Sequence, residues 1–107
     1  MRAIGELRHR LVIEQPETTP DGAGGNTETW ITLAEVWGAV EPLSGSERVE
    51  AGRIAGRHMH DITIRYRGDV ARNMRIRQQS RIFHILTLED VGGRGRWLRM
   101  LAEERDL

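Results

Sequence analysis

The chain alternates apolar and polar positions with a period of two over most of its length, which predicts short half-buried strands. Leu7 to Glu14 places Leu7, His9, Leu11 and Ile13 against Arg8, Arg10, Val12 and Glu14, and Pro16 ends that segment. Pro20-Asp21-Gly22-Ala23-Gly24-Gly25-Asn26 is dense in turn formers, so residues 16–26 are expected to be a flexible loop. Thr27 to Leu33 is rich in Thr, Trp and Ile, which suit strands. Ala34 to Val40 reads as a further strand, with Val36 and Val40 on one face and Trp37 on the other, closed by Pro42.

Ser44 and Glu47 then have the spacing of a capping box, and residues 46–55 predict a short, weakly amphipathic helix ended by Gly56. His60 to Arg67 is the clearest strand, with Ile62, Ile64 and Tyr66 inward and Thr63, Arg65 and Arg67 outward. Gly68-Asp69 turns the chain, and Met74 and Ile76 alternate with Arg75 and Arg77. Arg81 to Leu88 carries apolar residues on both faces, Phe83 and Ile85 against Ile82, Leu86 and Leu88, which predicts a central position. Gly92-Gly93-Arg94-Gly95 is a hairpin turn before a last strand, Arg96 to Glu104. Six or seven antiparallel strands and one short helix in a long inter-strand excursion, about residues 43–57, predict an all-β single-domain barrel spanning residues 1–107.

Length fits that picture, since 107 residues suffice for one domain and not for two. A body of this size buries only about two-thirds of its chain surface, so contacts with neighbours are a natural source of added stability. No cysteine is present, which removes disulfides, thiolate nucleophiles and cysteine-based zinc sites together. No apolar run follows Arg2, Arg8 and Arg10, so neither a secretory signal nor a membrane span is expected.

Net charge is zero but unevenly spread. Residues 1–47 hold three arginines against eight acids, and residues 48–81 hold nine against three, a swing from −5 to +6. Such polarity permits head-to-tail contact between identical copies, and equally suits two solvated faces of a monomer. All sixteen basic residues are Arg. Guanidinium favours bidentate pairing with carboxylate or phosphate over loose point charge.

Candidate chemistry is sparse. His58 and His60 point the same way in an extended strand, and Asp61 points the other way. A third metal ligand would have to come from His9 or His84, and incidental histidines are the simpler account, so no metal site is expected. Ser44, Ser46 and Ser80 sit in turn or cap contexts without a nucleophile elbow. The glycine-rich stretch at 21–25 lacks the Gly-Lys-Ser/Thr of a phosphate-binding loop, and the single Arg-Gly element at 92–96 is more simply a turn. No catalytic residue and no cofactor is expected.

Arg48, Arg53 and Arg57 would lie on neighbouring parts of one helix surface. Facing a DNA channel they would meet phosphates without reading sequence, and otherwise they form a solvated face. Trp30, Trp37 and Trp97 are three of five aromatic residues. Two suit a core, and one left at a rim would mark a protein contact.

Taken in order, these residues resemble the bacteriophage head–tail joining proteins, also called head-closure or stopper proteins. The likeness runs through Gly5-Glu6-Leu7-Arg8-His9-Arg10, Val12-Ile13-Glu14-Gln15-Pro16 and the Asp21-to-Gly25 loop before Trp30. It continues through Val36-Trp37-Gly38-Ala39-Val40-Glu41-Pro42-Leu43-Ser44-Gly45-Ser46-Glu47, His60, Ile62 to Arg67, and Arg81 to Ile85. Asp61 and the Trp97-bearing last strand are less typical.

The resemblance implies a virion protein at the head–tail interface, a structural subunit of a homo-oligomeric ring, taken as a hexamer. Its implied partners are portal or adaptor proteins above and the tail terminator or tail tube below, with non-specific contact to packaged double-stranded DNA and none with a membrane. The excursion that can reach the channel maps to 43–57, with Arg48, Arg53 and Arg57. Ring or partner contacts fall to Arg8, Arg10, Trp37, Glu41, Arg65 and Arg67. Six touching bodies of about 34 Å leave an opening of similar width, which loops can narrow. A competing reading is a monomeric nucleic-acid-binding barrel of the OB type, which needs exposed aromatics for stacking. A small metal-dependent enzyme built on His58 and His60 is the third.

Overall fold

The computed structural model describes residues 7–43 and 58–105. Six strands occupy most of them: β1 His9–Pro20, β2 Asn26–Pro42, β3 His58–Arg65, β4 Arg75–Gln78, β5 Arg81–Asp90 and β6 Trp97–Arg105. All pairings are antiparallel, in the order β1-β2-β3-β6-β5-β4, and β4 pairs back onto β1 through Val12↔Arg77 to Glu14↔Arg75. The sheet therefore closes into a ring, the all-β barrel expected from the alternating pattern. The expected helix at 46–55 lies outside the described residues.

The inside of the ring is filled by the alternating apolar positions. Leu11 and Ile13 of β1, Ile62 and Ile64 of β3, Ile76 of β4, Phe83 of β5 and Met100 of β6 are all fully buried. Each such side chain contributes about 1.5–3 kcal/mol through loss of its water contact. β2 gives least: Ala39 is its buried apolar residue, while Leu33, Val36 and Val40 pack only partly against the core.

Several expectations need correcting. Pro16 does not end the first strand; β1 runs on to Pro20 and pairs with β2 as far as Pro20↔Asn26. The β4 ladder stops at Glu14, so residues 15–20 have a neighbour on one edge only, the setting in which proline is tolerated in a strand. The loop thus narrows to residues 21–25, where Asp21 Oδ1 accepts hydrogen bonds from the amides of Ala23 (2.8 Å) and Gly25 (3.1 Å). The two strands expected at 27–33 and 34–40 are one seventeen-residue strand. It pairs with β1 up to Gly38 and with β3 from Gly38 onward.

Gly38 is the point where three strands meet. A Cβ there would lie 2.5 Å from Leu11 Cδ1, 3.0 Å from Ile64 Cγ2 and 3.1 Å from the Thr63 carbonyl oxygen. Only glycine allows so close an approach.

On β5, Leu86 was expected to share a face with Leu88, opposite Phe83 and Ile85. The ladder to β6 instead skips Leu86, from Ile85↔Ala102 to Thr87↔Leu101, a bulge that resets the phase. Leu88 consequently packs against the core that holds Phe83 and Ile85. On β3, Thr63 lies on the face opposite Ile62 and Ile64, as expected, yet is buried there. Tyr66, expected inward, is 42% exposed because the strand ends at Arg65.

Beyond Glu14 and before Leu33, β1 and β2 continue as a two-stranded arm, about 20 Å long at six residues per strand. The molecule measures 49 × 31 × 26 Å.

Candidate functional site

Where β2 and β3 part company, a groove opens. β3 stops at Arg65, while β2 continues past Gly38 towards Trp37 with no partner from β3. Leu7, Val36, Trp37, Arg65, Tyr66 and Arg67 line a half-open cavity of about 280 Å³. Trp37 is 53% exposed and Tyr66 42%. With Ile31 they are the large apolar side chains most open to water among the described residues. Exposed aromatics gathered in a concavity are the kind of surface that protein contacts use.

Arginines frame the groove. Arg10 lies over the Trp37 ring, 5.3 Å from its centroid, and pairs with Glu35 at 3.2 Å. Arg65 lies over the buried ring of Trp97 at 5.8 Å, its cross-strand neighbour. Arg67 grips Asp69 with two hydrogen bonds, of 3.1 and 2.9 Å. Those bonds hold the Asp69 carboxyl below the usual carboxylate range. Stacking of this exposed kind is worth about 0.5–1 kcal/mol, enough to orient a guanidinium while leaving its N–H groups available.

Four of the residues expected to make contacts, Arg10, Trp37, Arg65 and Arg67, thus come together. Arg8 and Glu41 are exposed but do not line the groove. Arg48, Arg53 and Arg57 lie outside the described residues. Tyr66, Leu7 and Val36 are the members that sequence reasoning missed. The Gly68-Asp69 turn was the available sign that the strand stops short of Tyr66.

At the other end of β3, about 23 Å away at seven residues' rise, the chain leaves the barrel at Leu43 and re-enters at His58. The Leu43 amide donates to the Met59 carbonyl at 3.0 Å, so the two ends of the excursion are adjacent.

His60 is buried there, edge-on to Phe83 with ring centroids 4.9 Å apart. Its Nε2 lies 3.2 Å from an Arg81 nitrogen and 3.6 Å from Glu104, and Arg81 holds Glu104 with two 3.0 Å bonds. Burial lowers the His60 pKa, and the Arg81 charge adds to this against the pull of Glu104. The hydrogen bonds from Arg81 lower that of Glu104.

The other histidines lie apart. His58 is exposed, His9 bonds to Gln78 and His84 meets the edge of Trp30. Asp61 is held by Arg99. Among the described residues no three potential ligands gather around a metal position.

A third constellation sits at the root of the arm. Glu14 is buried and accepts from Arg75 Nε at 2.7 Å and Arg77 Nε at 3.0 Å. Burial raises the Glu14 pKa, but the two guanidiniums outweigh it and leave the carboxyl below its usual range. Arg75 in turn lies 4.3 Å from the centroid of Trp30, which anchors the arm against β4 and β5.

These features define a small β-barrel whose distinctive chemistry lies on its surface. The sequence matches the family model of the phage head completion protein over residues 2–105, and the chain belongs to that family. It is similar to the solution structure of a Shigella flexneri 2a protein, with 29% identity, 96% of each chain covered and a TM-score of 0.76. It is also similar to a chain from the virion of a native gene transfer agent particle, at 31% identity, covering 94% of this chain and 96% of that one, with a TM-score of 0.67. No curated protein sequence matches it significantly.

Proposed function

We propose that this chain is a subunit of the head–tail connector, a head-closure ring that joins the portal and adaptor to the tail and helps to retain packaged DNA. The observation that carries the reading is the exposed Trp37–Tyr66 groove with its framing arginines, a surface built for protein contact on a member of a phage head family. Likeness to a chain of a gene transfer agent virion supports placement in a particle. Arg10, Trp37, Arg65 and Arg67 are the central contact residues, with Arg8 and Glu41 at the periphery. Arg48, Arg53 and Arg57 supply non-specific phosphate contact from the excursion, which leaves the barrel at the end of β3 remote from the groove. The ring is a hexamer in this reading, and the work is structural rather than catalytic.

Particles assembled without the protein test the proposal directly. They are expected to lose packaged DNA and to remain tailless; particles that close and join tails normally without it end the reading. Arg48, Arg53 and Arg57 changed together to Ala are expected to leave a folded subunit and leaking particles. Normal DNA content in those particles removes the channel role.

One observation favours a second reading, since Trp37 and Tyr66, distant in sequence, share the groove and offer two faces for base stacking. Tight gel-shift binding of the isolated subunit to single-stranded DNA, lost in Trp37→Ala, would select the OB-like alternative.

A further inference from the structure

We infer that the β1–β2 arm of one copy docks into the Trp37–Tyr66 groove of the next, so that each subunit carries plug and socket on the same strand. This inference rests on the proposed ring. The charges are complementary. Residues 15–32 contain Glu17, Asp21 and Glu28 and no basic residue. The groove is framed by Arg10, Arg65 and Arg67 against Glu35 and Asp69, and Arg65 makes no ion pair among the described residues. An arriving carboxylate would find a guanidinium already oriented on Trp97.

The faces are matched as well. The arm is a two-residue-period ribbon in which Gln15↔Ile31, Glu17↔Thr29 and Thr19↔Thr27 share one side. Trp30 occupies the other side, against Arg75 and His84. The free side therefore presents Glu17 beside Thr29 and the exposed Ile31. That supplies an acid for Arg65 and apolar surface for Trp37 and Tyr66.

Geometry makes the contact intermolecular. Ile31 and Trp37 lie six residues apart on one continuous strand, about 20 Å, and a strand cannot fold back on itself. A copy cannot fill its own groove. The arm projects about 20 Å, against a body 26–31 Å across in its two shorter dimensions, so it reaches over an abutting neighbour without spanning it. Plug and socket differ, so the contact is heterologous, the kind that generates a ring when its rotation closes.

The test uses two engineered cysteines in a chain that has none of its own. Thr29→Cys on the arm and Tyr66→Cys in the groove are made singly and together, assembled onto head particles, oxidised and run on non-reducing gels. The double variant is expected to give a ladder of trimers and larger species, whereas a single cysteine can give dimers at most. Charge exchange provides a second reading: Glu17→Arg and Arg65→Glu are each expected to lower incorporation more than tenfold, and their combination to restore it. Several copies per particle without a ladder or rescue would overturn the arm contact and leave the ring standing. Failure of the unmodified protein to join the particle at all would overturn both.

Discussion

β2 carries two tryptophans that each stack with an arginine paired to a glutamate, yet the two groups have opposite characters. At the root of the arm, Trp30, Arg75 and Glu14 are packed together, with the side chains of Arg75 and Glu14 only 11% and 9% exposed. Near the groove, Trp37, Arg10 and Glu35 repeat the same chemistry with Arg10 and Glu35 more than half exposed. The first group has no spare surface and serves the fold. The second is equally well oriented yet open to water. Residue type alone does not distinguish the two groups; burial does.

The largest expected effect comes from breaking the buried group. Glu14→Gln leaves two guanidiniums facing a neutral amide and is expected to cost about 3 kcal/mol, measured by denaturant unfolding. Gly38→Ala, which forces a methyl group into Leu11, Ile64 and the Thr63 carbonyl next to Trp37, should cost about 1–3 kcal/mol by the same measurement.

Acid probes the barrel's buried and half-buried ionisable side chains next. His60 and His84 have lowered pKa values, so the unfolded chain takes up protons first and stability falls as pH drops below their ordinary 6.5. Glu14 and Glu104, also lowered, keep their contribution above the ordinary 4.5 and lose it as pH falls through their folded values. Thermal melts should therefore decline in two stages on acidification, with the lower stage shallower in Glu14→Gln.

The exposed group gives the smallest change in stability. Glu35→Ala is expected to cost less than about 1 kcal/mol, as solvated pairs do. Trp37→Ala should leave the melting curve of the isolated subunit nearly unchanged while lowering incorporation into particles more than tenfold, measured by quantitative gel of purified heads. Equal losses of stability from Glu14→Gln and Glu35→Ala would dissolve the contrast.

Most of the barrel was legible in the sequence because its core residues follow a strict period of two. Ile62 and Ile64, or Leu11 and Ile13, announce a strand and its inward face together. The reading failed where a strand departs from that regime. Pro16 looked like a terminator because the free edge beside residues 15–20 is a tertiary fact, set by where the β4 ladder ends. β2 looked like two strands because a bulge at Leu33, skipped between Ile13↔Ala34 and Glu14↔Thr32, breaks the alternation where the two expected segments meet, and Leu86 broke it on β5 in the same way.

The groove was half legible. Trp37 and the arginines were nominated individually, but their meeting depends on β3 ending at Arg65, which also brings Tyr66 to the surface. The separation of Trp30 from Trp37 was invisible. Both have a glutamate and an arginine available, and only the closed ring decides which trio is sealed.

The clasp between Leu43 and Met59 has an evolutionary corollary. Because Leu43 and Met59 are joined to each other, the segment between them can lengthen at an entropic expense of only about 0.6 kcal/mol per doubling. Its sequence can diversify without unravelling the chassis. One scaffold can thus carry interchangeable inserts.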